Sequence, residues 1–327
     1  MTKLIDSLTD VLGDTTASSF EVTHFLDTGF PPLNKAISGQ YERGFPCGRI
    51  VEMFGPPSCG KTAIATKAMI SAQQHGGFAM FFDHERSFDI NLAQHLGLDV
   101  EAGTFAHIRP ETLEESFTRA IKAAQKIRDE ELIDPSAPII AVFDSLAAMV
   151  PRTKSEKELT ELTMADSLAL AKATSSVLPA VNQYAEKYNM LALILNQTRE
   201  NPGIAYGDPT RTPGGKAPGF YASVRVKLSA KPLVNKDKER LGQRITAEVI
   251  KTKLTRPFQQ AGWDFLFEES FGKFDVIGSM VDYLVEVGAL EQKGPRITFE
   301  GKSYYRSELI NHIEENNFAD KLTALLP

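Results

Sequence analysis

At 327 residues, 42% hydrophobic and 24% charged, the chain has the composition of a globular protein with one large domain, or one large and one small, which excludes wholesale disorder. No apolar run approaches the roughly 18 residues of a membrane helix, residues 1–14 place acids where a secretory signal places bases, and the two cysteines, Cys47 and Cys59, make neither a disulfide framework nor a zinc site, so a cytoplasmic protein is expected. The net charge of −6 conceals a segregation: residues 221–260 hold ten Lys or Arg and three acids, which suits either a polyanion-binding face or a solvated hairpin.

Leu4, Ile5, Leu8, Val11 and Leu12 recur at helical spacing and predict a short amphipathic helix over residues 3–13, followed by a polar linker. From residue 48 strands and helices alternate. Strands are predicted at 49–54, 78–83, 105–108, 139–144 and 191–196, with helices at 61–74, 89–96, 113–131 and 165–188 between them. That order predicts a mainly parallel α/β sheet with right-handed crossovers. Residues 139–144 and 191–196 are apolar without alternation, as strands covered on both faces are. Strands at 222–228, 243–252 and 263–267 follow without helices, so the sheet is expected to end in antiparallel strands. A small α/β tail begins near residue 271, with helices at 274–287 and 308–316 and a strand at 296–299.

Gly55, Pro56, Pro57, Ser58, Cys59, Gly60, Lys61 and Thr62 match G-x-x-x-x-G-K-[ST] between a predicted strand and a predicted helix, the context a phosphate-binding loop requires. Gly55 and Gly60 let successive backbone N–H groups curl around a β-phosphate. Lys61 brings a cation to the β- and γ-phosphates, Thr62 a hydroxyl for Mg²⁺, and the helix its N-terminal dipole. Cys59 reads as a small filler, with a redox role as the alternative. Asp144 ends a buried strand at the ligand-facing edge of the sheet and is the expected carboxylate of the Mg²⁺ shell. Glu85 emerges at the same edge and is the candidate general base, with Asp83 and His84 as competitors. Gln197 ends the next buried strand, where it is placed to sense a γ-phosphate. ATP with Mg²⁺ is the expected cofactor.

Residues 198–219 contain five glycines, four prolines and no usable periodicity. A loop of that length is functional or disordered as a rule. Arg199, Arg211 and Lys216 supply charge for phosphates and Tyr206 a ring for bases, which suits single-stranded nucleic acid. The loop begins directly after Gln197, so the state of the nucleotide has a route to ordering it.

These residues resemble the bacterial RecA family of ATP-dependent DNA recombinases over about residues 25–317. The matching segments are GRIVE (48–52), FFDHE (81–85), VFDSLAA (142–148), ILNQTR (194–199), PGGKAPGFYASVR (213–225) and KTKLTRPF (251–258). The resemblance implies an α/β fold: a RecA-like P-loop ATPase core with a mainly parallel central sheet, a short N-terminal helix and a small α/β C-terminal domain. It implies an oligomerisation helix and linker at 1–30, the core with its DNA-binding loops at 31–270, and the C-terminal domain at 271–327. Glu85 corresponds to the glutamate that activates water, and Gln197 to the glutamine that couples the γ-phosphate to the second DNA loop. That loop is 198–218 here, with Gly214 and Gly215 as its paired glycines; the first loop is about 153–164. Lys251 and Lys253 correspond to a lysine pair that reaches across the subunit interface to a neighbour's ATP. On a strand, i and i+2 share a face, as that role requires. Two departures stand out: the first loop has acids and no glycine, and Leu92 stands where the family often stacks an aromatic on adenine. Such divergence suits a phage or mobile-element member.

The function so implied is an ATP-dependent homologous recombinase. It would form a filament on single-stranded DNA, hydrolyse ATP at subunit interfaces, and exchange strands with a homologous duplex. Its partners would be both DNAs and further copies of itself in a helical homo-oligomer, with a single-strand-binding protein or a loading mediator as candidates, and no membrane. The alternatives are an ATP-switched filament regulator or mediator, and a hexameric helicase motor.

Overall fold

The computed structural model describes residues 21–157, 168–200, 210–235, 237–268 and 271–327. The helix expected at 3–13 lies outside them. A short antiparallel pair, β1 (Phe25–Leu26) and β2 (Phe45–Pro46), encloses helix α1 (Pro31–Ser38). The alternating part runs β3 (Ile50–Gly55), α2 (Lys61–Gln74), β4 (Phe78–Asp83), α3 (Ile90–His95), β5 (Phe105–Ile108), α4 (Leu113–Asp129), β6 (Ile139–Asp144), α5 (Arg152–Ser155), α6 (Ala169–Lys187) and β7 (Met190–Gln197). Two-residue strands β8 (Arg199–Glu200) and β9 (Thr210–Arg211) pair with each other. Helix α7 (Ala217–Tyr221) then leads into β10 (Val224–Val234), β11 (Arg240–Thr252), β12 (Gln259–Phe267) and β13 (Gly272–Asp275).

Among the described residues these strands build a nine-stranded sheet in the order β13-β12-β11-β10-β3-β7-β6-β4-β5. Neighbours from β10 to β5 are parallel, and β11 to β13 are added antiparallel. The expected α/β class and mainly parallel sheet are therefore observed. The central strands β3, β7, β6 and β4 are buried on both faces, whereas β5 and β10 are partly exposed. In β6, Ile140 and Val142 enter the core beneath α2, while Ile139, Ala141 and Phe143 enter the core beneath α4 and α6. This double burial is why those runs show no polar alternation. Helix α4 starts on a capping box, Thr112 with Glu115, which fixes its first turn.

Strands β10 and β11 extend past the segments predicted at 222–228 and 243–252. Ladder pairing continues to Val234 and Arg240, where both faces are solvated and the apolar pattern has faded. The edge strand β13 pairs with residues 264–267 of β12, on the C-terminal side of the division expected at 270/271. Beyond it, α8 (Val276–Glu286), the three-stranded sheet of β14 (Glu291–Lys293), β15 (Arg296–Phe299) and β16 (Lys302–Tyr305), and helices α9 (Arg306–Glu315) and α10 (Ala319–Thr323) enclose their own core. Arg244 of β11 reaches Asp264 and Asp282, and Tyr41 hydroxyl bonds Tyr283 hydroxyl at 2.8 Å, linking that core to the main sheet.

Candidate nucleotide site and the adjoining basic groove

Parallel pairing aligns the C-terminal ends of four strands. Gly55 is opposite Gln197 and Asp83 opposite Asp144, so the phosphate-loop motif, the acid and the candidate sensor share one edge by register alone. The loop is tight. A Cβ at Gly55 would lie 2.5 Å from the Leu228 carbonyl oxygen, and one at Gly60, whose φ is +85°, 2.8 Å from Ile245. Lys61 is buried and folds back, its Nζ donating to the carbonyls of Pro56 at 2.8 Å and Gly55 at 3.2 Å. Gln243 of β11 donates from Nε2 to the Ser58 carbonyl at 2.9 Å. Cys59 is fully buried beneath the loop, and burial pushes its thiol up. That fits the filler reading and leaves no accessible thiolate for redox chemistry.

Thr62 Oγ1 donates to Asp144 Oδ2 at 2.8 Å. Burial pushes the Asp144 carboxyl up to about 6, helped by the nearby Glu85 and Asp83 carboxylates and opposed by the Thr62 bond and Lys61. Glu85 Oε1 accepts from Gln197 Nε2 at 2.7 Å and from the Ser145 hydroxyl. The two competitors for its role are engaged elsewhere. Asp83 is buried, takes the N–H groups of Ser87 and Phe88, and pairs with His107. His84 Nε2 is bonded to Ser116 Oγ at 2.6 Å, and burial holds its pKa down to about 4.

Residues 57–63, Glu85, Leu92, Asp144, Gln197, Gln243 and Phe265 line a cavity of about 360 Å³. A hollow of about 140 Å³ with Ser87, Phe88 and Asp89 shares Thr62, Ala63 and Leu92 with it. The donor set fits Mg²⁺-ATP. A hydroxyl and a buried carboxylate that, among the described residues, has no cationic partner at bonding distance stand together, as a hard divalent ion requires. Lys61 lies beside a left-handed glycine at a helix N-terminus.

Arg211 and Lys216 line a second cavity of about 760 Å³ with Gly215, Gly219, Arg225, Lys227, Phe54 and Glu248. Part of the basic segment therefore faces this groove. Gly214 and Gly215 have φ of +91° and +74°, which favours glycine at both. Tyr206, the Arg199 side chain and residues 158–164 of the expected first DNA loop lie outside what is described. Lys251 and Lys253 do not line the nucleotide cavity of their own protomer. Lys251 Nζ instead donates to the carbonyls of Gly219 at 2.8 Å and Phe220 at 3.0 Å, and burial pulls its pKa down, with Lys253 and Arg225 adding to the effect. Lys253 is exposed.

The family model for the RecA N-terminal domain matches residues 10–272. A protein named Protein RecA from Thermosynechococcus vestitus is 34% identical over 314 residues, 95% of this chain and 82% of that protein. Those from Nocardia farcinica and Clostridioides difficile are 36% and 34% identical over 79% and 86% of this chain, and 70% and 75% of their own lengths. The chain belongs to the RecA family. It is accordingly a DNA-dependent ATPase, a nucleotide- and DNA-binding protein of recombination and repair.

Three residues were not anticipated from sequence: Gln243 and Ser145, which bond residues of the nucleotide site, and Glu52, which lines neither cavity. Gln243 is the polar member of an inward row with Ile245, Ala247 and Val249, and that break in the row was the available signal. Glu52 is a lone acid inside the apolar run of β3 and is fully buried. Ser145 directly follows Asp144 and carried no pattern of its own.

Proposed function

We propose that this protein is an ATP-dependent recombinase that polymerises on single-stranded DNA and exchanges strands with a homologous duplex. The observation that carries the reading is the 2.7 Å bond from Gln197 to Glu85. It joins the candidate base to the residue at which the chain leaves the nucleotide edge, and the chain returns along the basic groove through Arg211, Gly215 and Lys216.

Bound Mg²⁺-ATP supplies the phosphoanhydride and the divalent charge. Thr62 and Asp144 would hold the metal. Lys61 would exchange the carbonyls of Gly55 and Pro56 for phosphate oxygens, a trade of neutral acceptors for charged ones. Glu85 would orient water and accept its proton at Oε1 once Gln197 turns to the nucleotide, so the sensor also withholds the base. Arg211 and Lys216 would contact DNA phosphates. Base pairing, not the protein, would read sequence, so binding should weaken steeply with salt.

Among the described residues, Lys61 is the one Lys or Arg lining the nucleotide cavity, so Lys251 and Lys253 would act on a neighbouring protomer's nucleotide. Phe220, whose carbonyl accepts from Lys251, and Phe258, whose N–H bonds the Val249 carbonyl on the same strand as Lys251, are 73% and 69% exposed and offer apolar surface for the same contact. In three-strand exchange between circular single-stranded DNA and a homologous linear duplex, wild type should form joint molecules. Lys61→Ala and the Lys251→Ala, Lys253→Ala pair should not. DNA-stimulated ATPase without exchange by wild type would instead favour the regulator reading.

A further inference from the structure

We propose that Asn196 is a positioning residue: its carboxamide ties the point where the DNA-binding segment returns to the core to the point where it leaves, so that a shift at Gln197 is felt at Pro213. The inference rests on the recombinase reading for its DNA readout but not for its geometry.

Asn196 is fully buried at the end of β7. Its Nδ2 donates to Glu52 Oε1 and to the Pro213 carbonyl, both at 3.0 Å, and its Oδ1 accepts from the Gln197 N–H at 3.0 Å. Both amide hydrogens and one oxygen lone pair are thus committed, one contact to each of three places. The first place is tightly held. Glu52 is fully buried in β3, its second oxygen accepts from Arg225 Nε at 2.7 Å, and the Arg225 guanidinium lies 4.8 Å from the centre of the Phe54 ring. A buried carboxylate fixed by a cation and a strand is a rigid acceptor.

The other two places are the departing and returning ends of residues 198–212. The departing end is Gln197, whose side chain holds Glu85. The returning end is Pro213 with Gly214 and Gly215. A Cβ at Gly214 would meet Leu146 at 2.7 Å, and one at Gly215 would meet Ala171 at 3.0 Å, so this turn sits against Leu146, two residues after Asp144, and against the start of α6. If the end of β7 shifts as the Gln197 side chain leaves Glu85 for a nucleotide, the Gln197 backbone N–H would carry Oδ1 with it and turn the carboxamide plane. The Pro213 bond would turn with it. A residue that only satisfied Glu52 would need the first contact and neither of the others.

That difference makes the test. Asn196→Asp keeps the volume but removes both donors and faces Glu52 with a second carboxylate. Adding Glu52→Gln supplies an amide that donates to the new carboxylate and keeps the total charge facing Arg225. It leaves the Pro213 carbonyl without its donor. Three quantities are compared with wild type: affinity for a fluorescent ATP analogue, the effect of a slowly hydrolysed ATP analogue on tryptic cleavage at Arg199 and Arg211 without DNA, and the ratio of ATPase rates with and without single-stranded DNA. In the double variant, nucleotide affinity should stay within about twofold. The nucleotide-dependent change in cleavage should vanish, and DNA stimulation should fall about tenfold, the size of one lost hydrogen bond expressed in the coupling.

A double variant that regains both the cleavage response and DNA stimulation overturns the proposal, since the Glu52 contact alone would then suffice. One that does not fold overturns it too, because the Pro213 bond would be structural. If wild-type ATPase ignores single-stranded DNA, the recombinase reading fails, and the cleavage response, measured without DNA, still decides the role of Asn196.

Discussion

Asp144→Asn should stabilise the metal-free protein while abolishing its ATPase. The Asp144 carboxyl is 5% exposed and has its pKa raised from 3.8 to about 6 by burial. Raising the pKa of an acid on folding means that the folded state holds the proton more tightly, so stability is fully present below about 4 and is lost as pH rises to about 6. A shift of about 2 units at about 1.4 kcal/mol each gives about 3 kcal/mol lost at neutral pH. The asparagine amide resembles the protonated acid and escapes that loss, and the Thr62 hydroxyl keeps an acceptor. At about 2.1 cal/mol/K of unfolding entropy per residue, a chain of this length gains about 4 °C in Tm from about 3 kcal/mol. The assay is thermal unfolding in a chelator from pH 4 to pH 8, beside ATPase with Mg²⁺. The variant should melt higher at pH 7.5, and the difference should close in acid. An equal or lower Tm at pH 7.5, or a gap that does not change with pH, would falsify the account of Asp144 as a carboxylate held for a cation.

Gln243→Ala removes the donor to the Ser58 carbonyl, so ATP affinity should fall about fivefold, the worth of about 1 kcal/mol, with DNA binding in the absence of nucleotide unchanged. Unchanged nucleotide titrations would refute a role for β11 in holding the loop. Both thiols should resist iodoacetamide in the native protein and react once it is unfolded, because Cys59 and Cys47 are buried, and burial pushes the Cys47 thiol up to about 12. Rapid native labelling of Cys59, with loss of ATPase, would restore the redox reading.

Most of the candidate nucleotide site was legible because its chemistry is local. Residues 55–62 form a contiguous motif, and Asp144 and Gln197 end apolar runs whose length already marks them as buried parallel strands. Parallel register then does the assembly, so naming the strand ends named the site. What stayed hidden depends on partners far apart in sequence. Nothing near Glu52 announces Arg225 or Asn196, 173 and 144 residues away. Gln243 reaches Ser58 across 185 residues. The competitors of Glu85 were separable only once His107 and Ser116 were seen to occupy Asp83 and His84. Helix α1 was missed because two prolines open it, and the long hairpin was cut short because a solvated ladder carries no apolar signal.

Charge balance explains why a site so complete in its geometry would still call for a neighbour. Among the described residues lining the nucleotide cavity, Lys61 is the single Lys or Arg and faces the carboxylates of Glu85 and Asp144. A triphosphate with its metal adds further negative charge, so one protomer leaves the developing charge of phosphoryl transfer under-compensated. Lys251 and Lys253 sit on another surface, beside two exposed phenylalanines. Bringing that surface over a nucleotide-filled cavity would neutralise the excess and bury apolar surface together, whereas over an empty cavity only the apolar gain would remain. Assembly would thereby depend on nucleotide without any dedicated switch, and the electrostatic share of that dependence would weaken as salt screens the approach.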